Sequence, residues 1–360
     1  MIRAAGKSDL HSELLSHDAP DISAARAAEI ARDVFGVAGT VKCLTAEKDA
    51  NFCIRPDGGN PLLLKISNAA EARGVIDMQT AALIHLQSVD PSLPVPQVYN
   101  ALNGNTAQLV LGADGREHVV RMLSFLEGRV LSNGPVADGV HREIGALLAR
   151  LNVAMRGFAH PSADHVLQWD IKQASLLRPM LPAIQDSDLH KRLTALIDRF
   201  DLKIAPKLSQ QRAQVVHNDF NPHNLLVNDI GAPYLSGIID FGDMVHTHIA
   251  CDLAVACAYQ IAHGAEPLFH IAQILRGYSS VLSLEEPEID LLPELICLRH
   301  ATTLIIGAMR AKRYPENAAY ILRNSNNALH GLAAMDLLGI EAARDVLHRA
   351  AQPNERSEPK

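Results

Sequence analysis

The sequence has no cysteine framework, no membrane-length apolar run and no surplus of basic charge, and each absence removes a class of function. Its five cysteines, Cys43, Cys53, Cys251, Cys257 and Cys297, are odd in number, scattered and mostly set in apolar sequence. That usage speaks against a disulfide-built module and predicts buried thiols in a reducing compartment. With no C-x-x-C pair, the cysteines do not suggest zinc. The opening Met1-Ile2-Arg3-Ala4-Ala5-Gly6-Lys7 lacks the apolar core of a secretory signal, and no uncharged apolar stretch reaches bilayer length. A soluble, cytoplasmic protein without a membrane partner is therefore the expectation. A formal net charge of -7 argues against a nucleic-acid partner and mildly favours a cationic small substrate.

What is present is a chain of 360 residues, 48% hydrophobic, enough for one large domain or two lobes with a sizeable core. The first twenty residues read as a frayed, flexible N-terminus. Asp21 offers an N-cap before Ile22 to Phe35, whose apolar residues recur at helical spacing, and Gly36 and Gly39 close that helix. Val41 to Leu44, Asn51 to Arg55 and Pro61 to Ile66 read as short strands. The last holds Lys65 inside an apolar run, a costly position unless its ammonium meets anions. It is either a strand lysine that holds nucleotide phosphates or an edge-strand lysine reaching water.

A helix follows from about Ala69 to Leu86, and the position suited to an acidic partner for Lys65 holds Gln79, with Glu71 and Asp77 nearby. Strands over Gln97 to Ala101, Thr106 to Leu111 and Glu117 to Leu123 complete a small sheet. The stretch Ser124-Phe125-Leu126-Glu127-Gly128-Arg129 breaks the pattern, and helices dominate afterwards, so a hinge is expected there. Helices are expected over Ala137 to Met155, from Trp169-Asp170 through Leu177, and over Asp188 to Lys207. The domain division is then a flexible segment 1–20, a nucleotide-binding lobe 21–126, a catalytic and substrate lobe 127–350, and a disordered tail 351–360. The fold class is α+β, a bilobal arrangement with a small, mainly antiparallel N-lobe and a larger helical C-lobe.

The chemistry concentrates between His217 and Asp243. His217, Asp219 and Asn224 have the H-x-D-x-x-x-x-N spacing of a kinase catalytic loop, and Asp240-Phe241-Gly242 follows an apolar strand sixteen positions past Asn224. A hairpin through Asp229, Gly231 and Pro233 would link them. Phosphoryl transfer to an alcohol needs a carboxylate to take the hydroxyl proton, Mg2+, and cations near the phosphates. Asp219 suits the base, Asn224 and Asp240 the oxygen ligands of the metal, and His217 a prop for the loop. Asp243 is a further carboxylate for metal or a cationic substrate. Trp169 and Asp170 are candidates for the substrate wall, with a packing role for Trp169 as the alternative, and Arg121 is a candidate base in the pocket. Two readings of other classes stay open. One is a metal hydrolase built from His217, Asp219, His223, Asp240, His246 and His248, and the other is a non-catalytic nucleotide-binding protein.

On these residues the chain resembles the aminoglycoside phosphotransferase family of small-molecule kinases with a protein-kinase-like fold. The resemblance runs from Leu44–Phe52 and Leu64-Lys65-Ile66 through Met78-Gln79, Val120–Arg129, Trp169-Asp170 and His217–Asn224. It is most specific at Gly237-Ile238-Ile239-Asp240-Phe241-Gly242-Asp243-Met244-Val245-His246 and Asp252-Leu253-Ala254. Within the family it is similar above all to the hydroxylysine kinases. The resemblance implies ATP or GTP as donor, Mg2+ as cofactor, and 5-hydroxylysine as acceptor, with aminoglycoside, homoserine or choline kinases as alternatives. It places Lys65, Gln79, Ser124 and Phe125 on the nucleotide side. Asn218 stands where the family usually has glycine, and Gln79 in place of glutamate looks like a subfamily trait.

Overall fold

The computed structural model describes residues 19–46, 48–113, 115–228 and 234–352. The expected flexible start up to residue 18, the turn at Asp229, Gly231 and Pro233, and the tail from residue 353 lie outside the described residues. The chain divides into two compact units. The N-terminal unit runs through Gly128 and takes in 158–166 and 236–242, and the C-terminal unit comprises the rest.

In the N-terminal unit, Ser23 caps α1 (Ala24–Phe35) by accepting the Arg26 amide at 3.1 Å, and Gly36 closes the helix in the left-handed region. The cap falls two residues beyond Asp21 because a serine side chain there does the same work. The strands β1 (Gly39–Leu44), β2 (Ala50–Pro56), β3 (Leu62–Ile66), β4 (Val98–Tyr99), β5 (Gln108–Leu111) and β6 (Glu117–Ser124) form one antiparallel sheet, ordered β1-β2-β3-β6-β4 with β5 also on β6. Strand alternation sorts β3 into two faces. Leu62, Leu64 and Ile66 join a core with Ala27, Ile30 and Phe35 of α1, and Lys65 faces the other way. Lys65 pairs in register with Asn51 on β2 and Arg121 on β6, so two cations lie side by side on that face. The helix α2 (Arg73–Val89) begins later than its apolar stripe suggests, because Asn68 turns the chain first by accepting the Ala70 amide at 3.0 Å.

The C-terminal unit is mainly helical. It contains α3 (Val140–Ala154), α4 (Ser187–Arg199), α5 (Ala205–Leu208), α6 (Ile249–Ala258), α7 (Phe269–Ser279), α8 (Glu286–Arg313), α9 (Ala318–Ile321), α10 (Ser325–Leu338) and α11 (Ile340–Ala351). Two short ribbons complete it, β7 (Arg129–Val130) with β9 (Leu225–Val227), and β8 (Ala213–Val216) with β11 (Val245–His248). The strand β10 (Leu235–Ile238), all but its first residue in the N-terminal unit, leads into Asp240. The segment after Asp170 is a 3-10 stretch, Ile171–Ala183, in place of a regular helix, since Pro179 and Pro182 remove amide donors. Likewise the expected helix over 188–207 is broken by a π turn at Phe200–Ile204. Close approach of α3 and α7 depends on glycine at both crossing points. A Cβ on Gly145 would meet the Ile274 carbonyl oxygen at 1.9 Å, and one on Gly277 the Arg142 carbonyl oxygen at 1.9 Å.

The helix α8 has the length and composition to cross a membrane, but 94% of its apolar window is buried inside the protein, as in a core helix. Four of the cysteines are buried free thiols, and Cys43 is exposed.

Candidate active site

Two clusters carry the predicted site residues, one in each unit. In the N-terminal unit, Lys65 Nζ lies 2.9 Å from Asp49 Oδ2 and 3.9 Å from Asp240 Oδ1. Its acidic partner is thus carried next to β2, just before Ala50, and not on α2. Burial alone would raise the Asp49 carboxyl, but Lys65, Lys48 and the Asn68 amide outweigh it and hold the group below its ordinary range. Gln79 is a neutral tie. Its Nε2 donates to the Gly242 carbonyl at 3.2 Å and its Oε1 accepts from Arg121 Nη2 at 3.1 Å. Arg121 is fully buried and also donates to Thr80, so it is engaged inside this unit and does not line a substrate pocket. Ser124 Oγ accepts the Gln97 amide at 2.8 Å and Phe125 donates its amide to the Pro61 carbonyl at 3.0 Å, which knits the expected hinge to the sheet.

Asp240 is one of two non-glycine residues at positive φ among the described residues, at 61°. An aspartate tolerates that region through local hydrogen bonding, and Oδ1 accepts the Gly242 amide at 3.2 Å. The turn aims a carboxylate that is 56% exposed and able to take further ligands.

In the C-terminal unit the loop after β8 is folded around Asp219. Its Oδ1 accepts from Asn221 Nδ2 at 2.8 Å and Arg299 Nη2 at 3.1 Å, and its Oδ2 from Asn224 Nδ2 at 2.7 Å. The carboxylate stays 22% exposed, fixed in orientation but reachable. His217 is buried, and its Nδ1 accepts the Asp219 amide at 3.2 Å. Asn218 has φ 62°, the other positive value, a conformation that asparagine tolerates and that glycine, the residue the resemblance leads one to expect there, enters freely. Its amide donates to Asp252 Oδ1 at 2.8 Å, and Asn152 Nδ2 donates to Oδ2 at 2.9 Å. Burial pushes the Asp252 carboxyl up, against the pull of Asn152, His217 and the Asn218 amide.

Asp170 is almost wholly buried, capping the stretch after it through the Lys172 amide and accepting Thr247 Oγ1 at 2.8 Å. Trp169 lies under the Arg299 guanidinium, 5.2 Å from carbon to ring centroid. Asp243 is in the C-terminal unit and acts on the charge of Arg299. Two contributors escaped the sequence reading, Asp49 and Arg299, and Asp252 entered it only as part of the family resemblance. For Asp252 and Arg299 a signal existed in the residues themselves, since each is a charged residue inside an apolar helix and needs a partner.

The hydrolase alternative needs several nitrogen and oxygen ligands at one point. Among the described residues no group of three or more His, Cys, Asp or Glu side chains is so gathered. Asp240 in the N-terminal unit and Asn224 in the C-terminal unit each carry a hard oxygen donor, the kind of atom that a magnesium-type ion takes alongside waters and phosphates.

The sequence profile of the phosphotransferase enzyme family matches residues 46–288. The chain is 27% identical over 359 residues to the hydroxylysine kinase of Bos taurus, covering 93% of this chain and 95% of that protein. Its fold is similar to that of an amicoumacin kinase solved with AMP-PNP and Ca2+, with a TM-score of 0.63 and 16% identity over 89% of this chain and 92% of that one. It is also similar to a microcompartment-associated aminopropanol kinase, with a TM-score of 0.59 and 18% identity over 96% and 98% of the two chains.

Proposed function

Because the chain belongs to the phosphotransferase enzyme family, we propose that it is a small-molecule kinase that transfers the terminal phosphoryl group of ATP or GTP to a hydroxy amino acid or amino alcohol, with 5-hydroxylysine the first choice. The observation that carries this reading is the Asp219 carboxylate, clamped by Asn221, Asn224 and Arg299 yet still open to a reactant. In the proposed reaction the acceptor hydroxyl oxygen bonds to the terminal phosphorus as the bridging P–O bond breaks. Asp219 takes the hydroxyl proton and the nucleoside diphosphate leaves. Lys65, held by Asp49, is the cation for the donor's phosphates. A bound Mg2+ would neutralise charge developing on the phosphoryl oxygens. Asp240 would offer such an ion its exposed carboxylate, and Asn224, whose amino group is committed to Asp219, has its carboxamide oxygen to offer.

Similarity to a hydroxylysine kinase over nearly the full length of both chains supports that acceptor. The test is a panel of hydroxylysine, homoserine, ethanolamine, choline and kanamycin, each with ATP and with GTP, scored by nucleoside diphosphate release. Asp219→Asn should lower turnover by about 10²–10⁴-fold with nucleotide binding retained. Full turnover in that variant would overturn the base assignment, and no release with any acceptor would overturn the kinase reading.

A further inference from the structure

The N-terminal unit holds a second lysine–acid pair beside the one at Lys65. Lys48, on the connection from β1 to β2, puts its Nζ 3.2 Å from Glu71 Oε2, with the two side chains 19% and 9% exposed. Glu71 is one of the acids that the sequence offers to Lys65, and the fold gives it to Lys48 instead. Asn68 braces the backbone beneath both pairs. Its Nδ2 donates to the Lys48 carbonyl at 3.1 Å, its amide to Asp49 Oδ1 at 3.0 Å, and its carbonyl accepts the Glu71 amide at 3.0 Å. With the main chain tied at 48 and 71, the parts left to move are the two long side chains. Lys48 also stands close to Asp240. A Cβ on Gly242 would lie 3.7 Å from Lys48 Nζ and 2.9 Å from Asp240 Oδ1, so the ammonium occupies the space over that glycine. Lys65 Nζ is 3.9 Å from the same oxygen. Two ammonium groups therefore gather about one exposed carboxylate.

We infer that Lys48 is a second cation for the donor, and that it exchanges Glu71 for the terminal phosphates when the nucleotide binds. The inference rests on the kinase reading above and deepens it. A donor whose terminal phosphates are brought to Asp240 by a metal ion has them beside Lys48 as well as Lys65. An ammonium is a compact charge with three donors, and phosphate oxygens give it charge-assisted bonds. The two pairs differ in what holds the acid. Asp49 is tied by its other oxygen to the Asn68 amide, whereas Glu71 meets Lys48 at the end of a longer side chain. Lys48 is thus the one placed to change partners. A largely buried ion pair recovers little beyond its own desolvation, so trading the carboxylate for a phosphate is a small step. Glu71 then acts as a built-in competitor that sets how tightly the donor is held.

The test is calorimetric titration of ATP and of AMP, each with Mg2+ and without acceptor, into wild type, Lys48→Met, Glu71→Gln and the double variant. Lys48→Met should weaken ATP at least ~10-fold. Glu71→Gln should tighten it at least ~3-fold, because the competing charge is gone. In the double variant that gain should vanish, since Glu71 acts through Lys48. AMP, which lacks the terminal phosphates, should bind all four proteins alike. Were the pair only a clasp on the β1–β2 connection, both single substitutions would break it and ATP would weaken in both, which would overturn the inference. A gain from Glu71→Gln that persists without Lys48 would assign it to general charge and overturn it too, as would AMP weakening in step with ATP. Glu71→Gln leaves Lys48 in place, so it decides the matter alone should Lys48→Met fail to fold. Lys48-dependent ATP binding without phosphate transfer to any acceptor would sink the kinase reading and leave this one standing, whereas transfer at unchanged ATP affinity in Lys48→Met would do the reverse.

Discussion

Replacing Asp49 by asparagine tests how Lys65 is held. Asp49 is a bridge of two parts: Oδ1 accepts the Asn68 amide at 3.0 Å and Oδ2 meets Lys65 Nζ at 2.9 Å, with the two side chains 6% and 13% exposed. Asparagine keeps the first bond, but its amino group then faces the ammonium, donor against donor. At an effective dielectric of ~20 the pair attracts by about 6 kcal/mol, of which desolvation of both ions takes back much. Removing one partner of such a pair costs about 3–5 kcal/mol, because the other charge stays buried. Asp240, 3.9 Å from Lys65 and mostly exposed, offsets little of it. The assay is hydrogen exchange at the β2 and β3 amides, which reads opening of this sheet apart from the helical unit. Exchange should quicken by roughly two to three and a half decades in Asp49→Asn. The double variant with Lys65→Met should lose much less than the sum of the singles. An acceleration under ~5-fold, or strict additivity, would refute the reasoning. Acid should mimic the substitution. With the folded Asp49 below its ordinary 3.8, its stabilisation is present above that value and is lost as pH falls through the lower, folded value.

Three further outcomes follow from the C-terminal unit. Asn218→Gly should fold and turn over like wild type, since glycine enters the left-handed region freely, while Asn218→Val should cost about 1–3 kcal/mol and misplace Asp219, seen as a fall in kcat with nucleotide affinity kept. Asp252, raised by burial, has the opposite pH sign to Asp49: its contribution is complete below its ordinary 3.8 and is lost as pH rises through the folded value. Chemical denaturation across pH should therefore show wild-type stability declining over that window relative to Asp252→Asn, and parallel profiles would contradict the burial argument. Gly145→Ala should destabilise by about 3 kcal/mol or more, because its Cβ can fit only by parting α3 from α7, and an unchanged melting temperature would count against that packing.

The reaction class was readable because His217, Asp219, Asn224 and Asp240 are close in sequence, and the strand lysine because Lys65 interrupts an apolar run. The partners of those residues were not readable, for physical reasons that differ. Asp49 sits in a polar Lys48-Asp49 step that looks like any strand-connecting turn, and only sheet register sets it against Lys65. Arg299 is 80 positions from Asp219 on a helix whose period says core, and the bond between them belongs to tertiary packing. Helix limits near Asn68 and Pro179 shifted where a side-chain turn or a missing amide overrode apolar spacing. Asn218 looked like a departure from a glycine pattern, and its φ shows that the backbone requirement is met by another route.

The Gln79 tie has a consequence for control. In protein kinases the strand lysine is paired with a glutamate on the mobile helix, and moving that helix breaks the pair and turns the enzyme off. Here the lysine's acid lies just before β2, beside the lysine's own sheet, and the helix is fastened by an uncharged amide to a backbone carbonyl and to an arginine that is itself buried. Displacing the helix would leave Lys65 and Asp49 together. Moving the helix, the step that parts lysine from acid in protein kinases, would therefore not part them here.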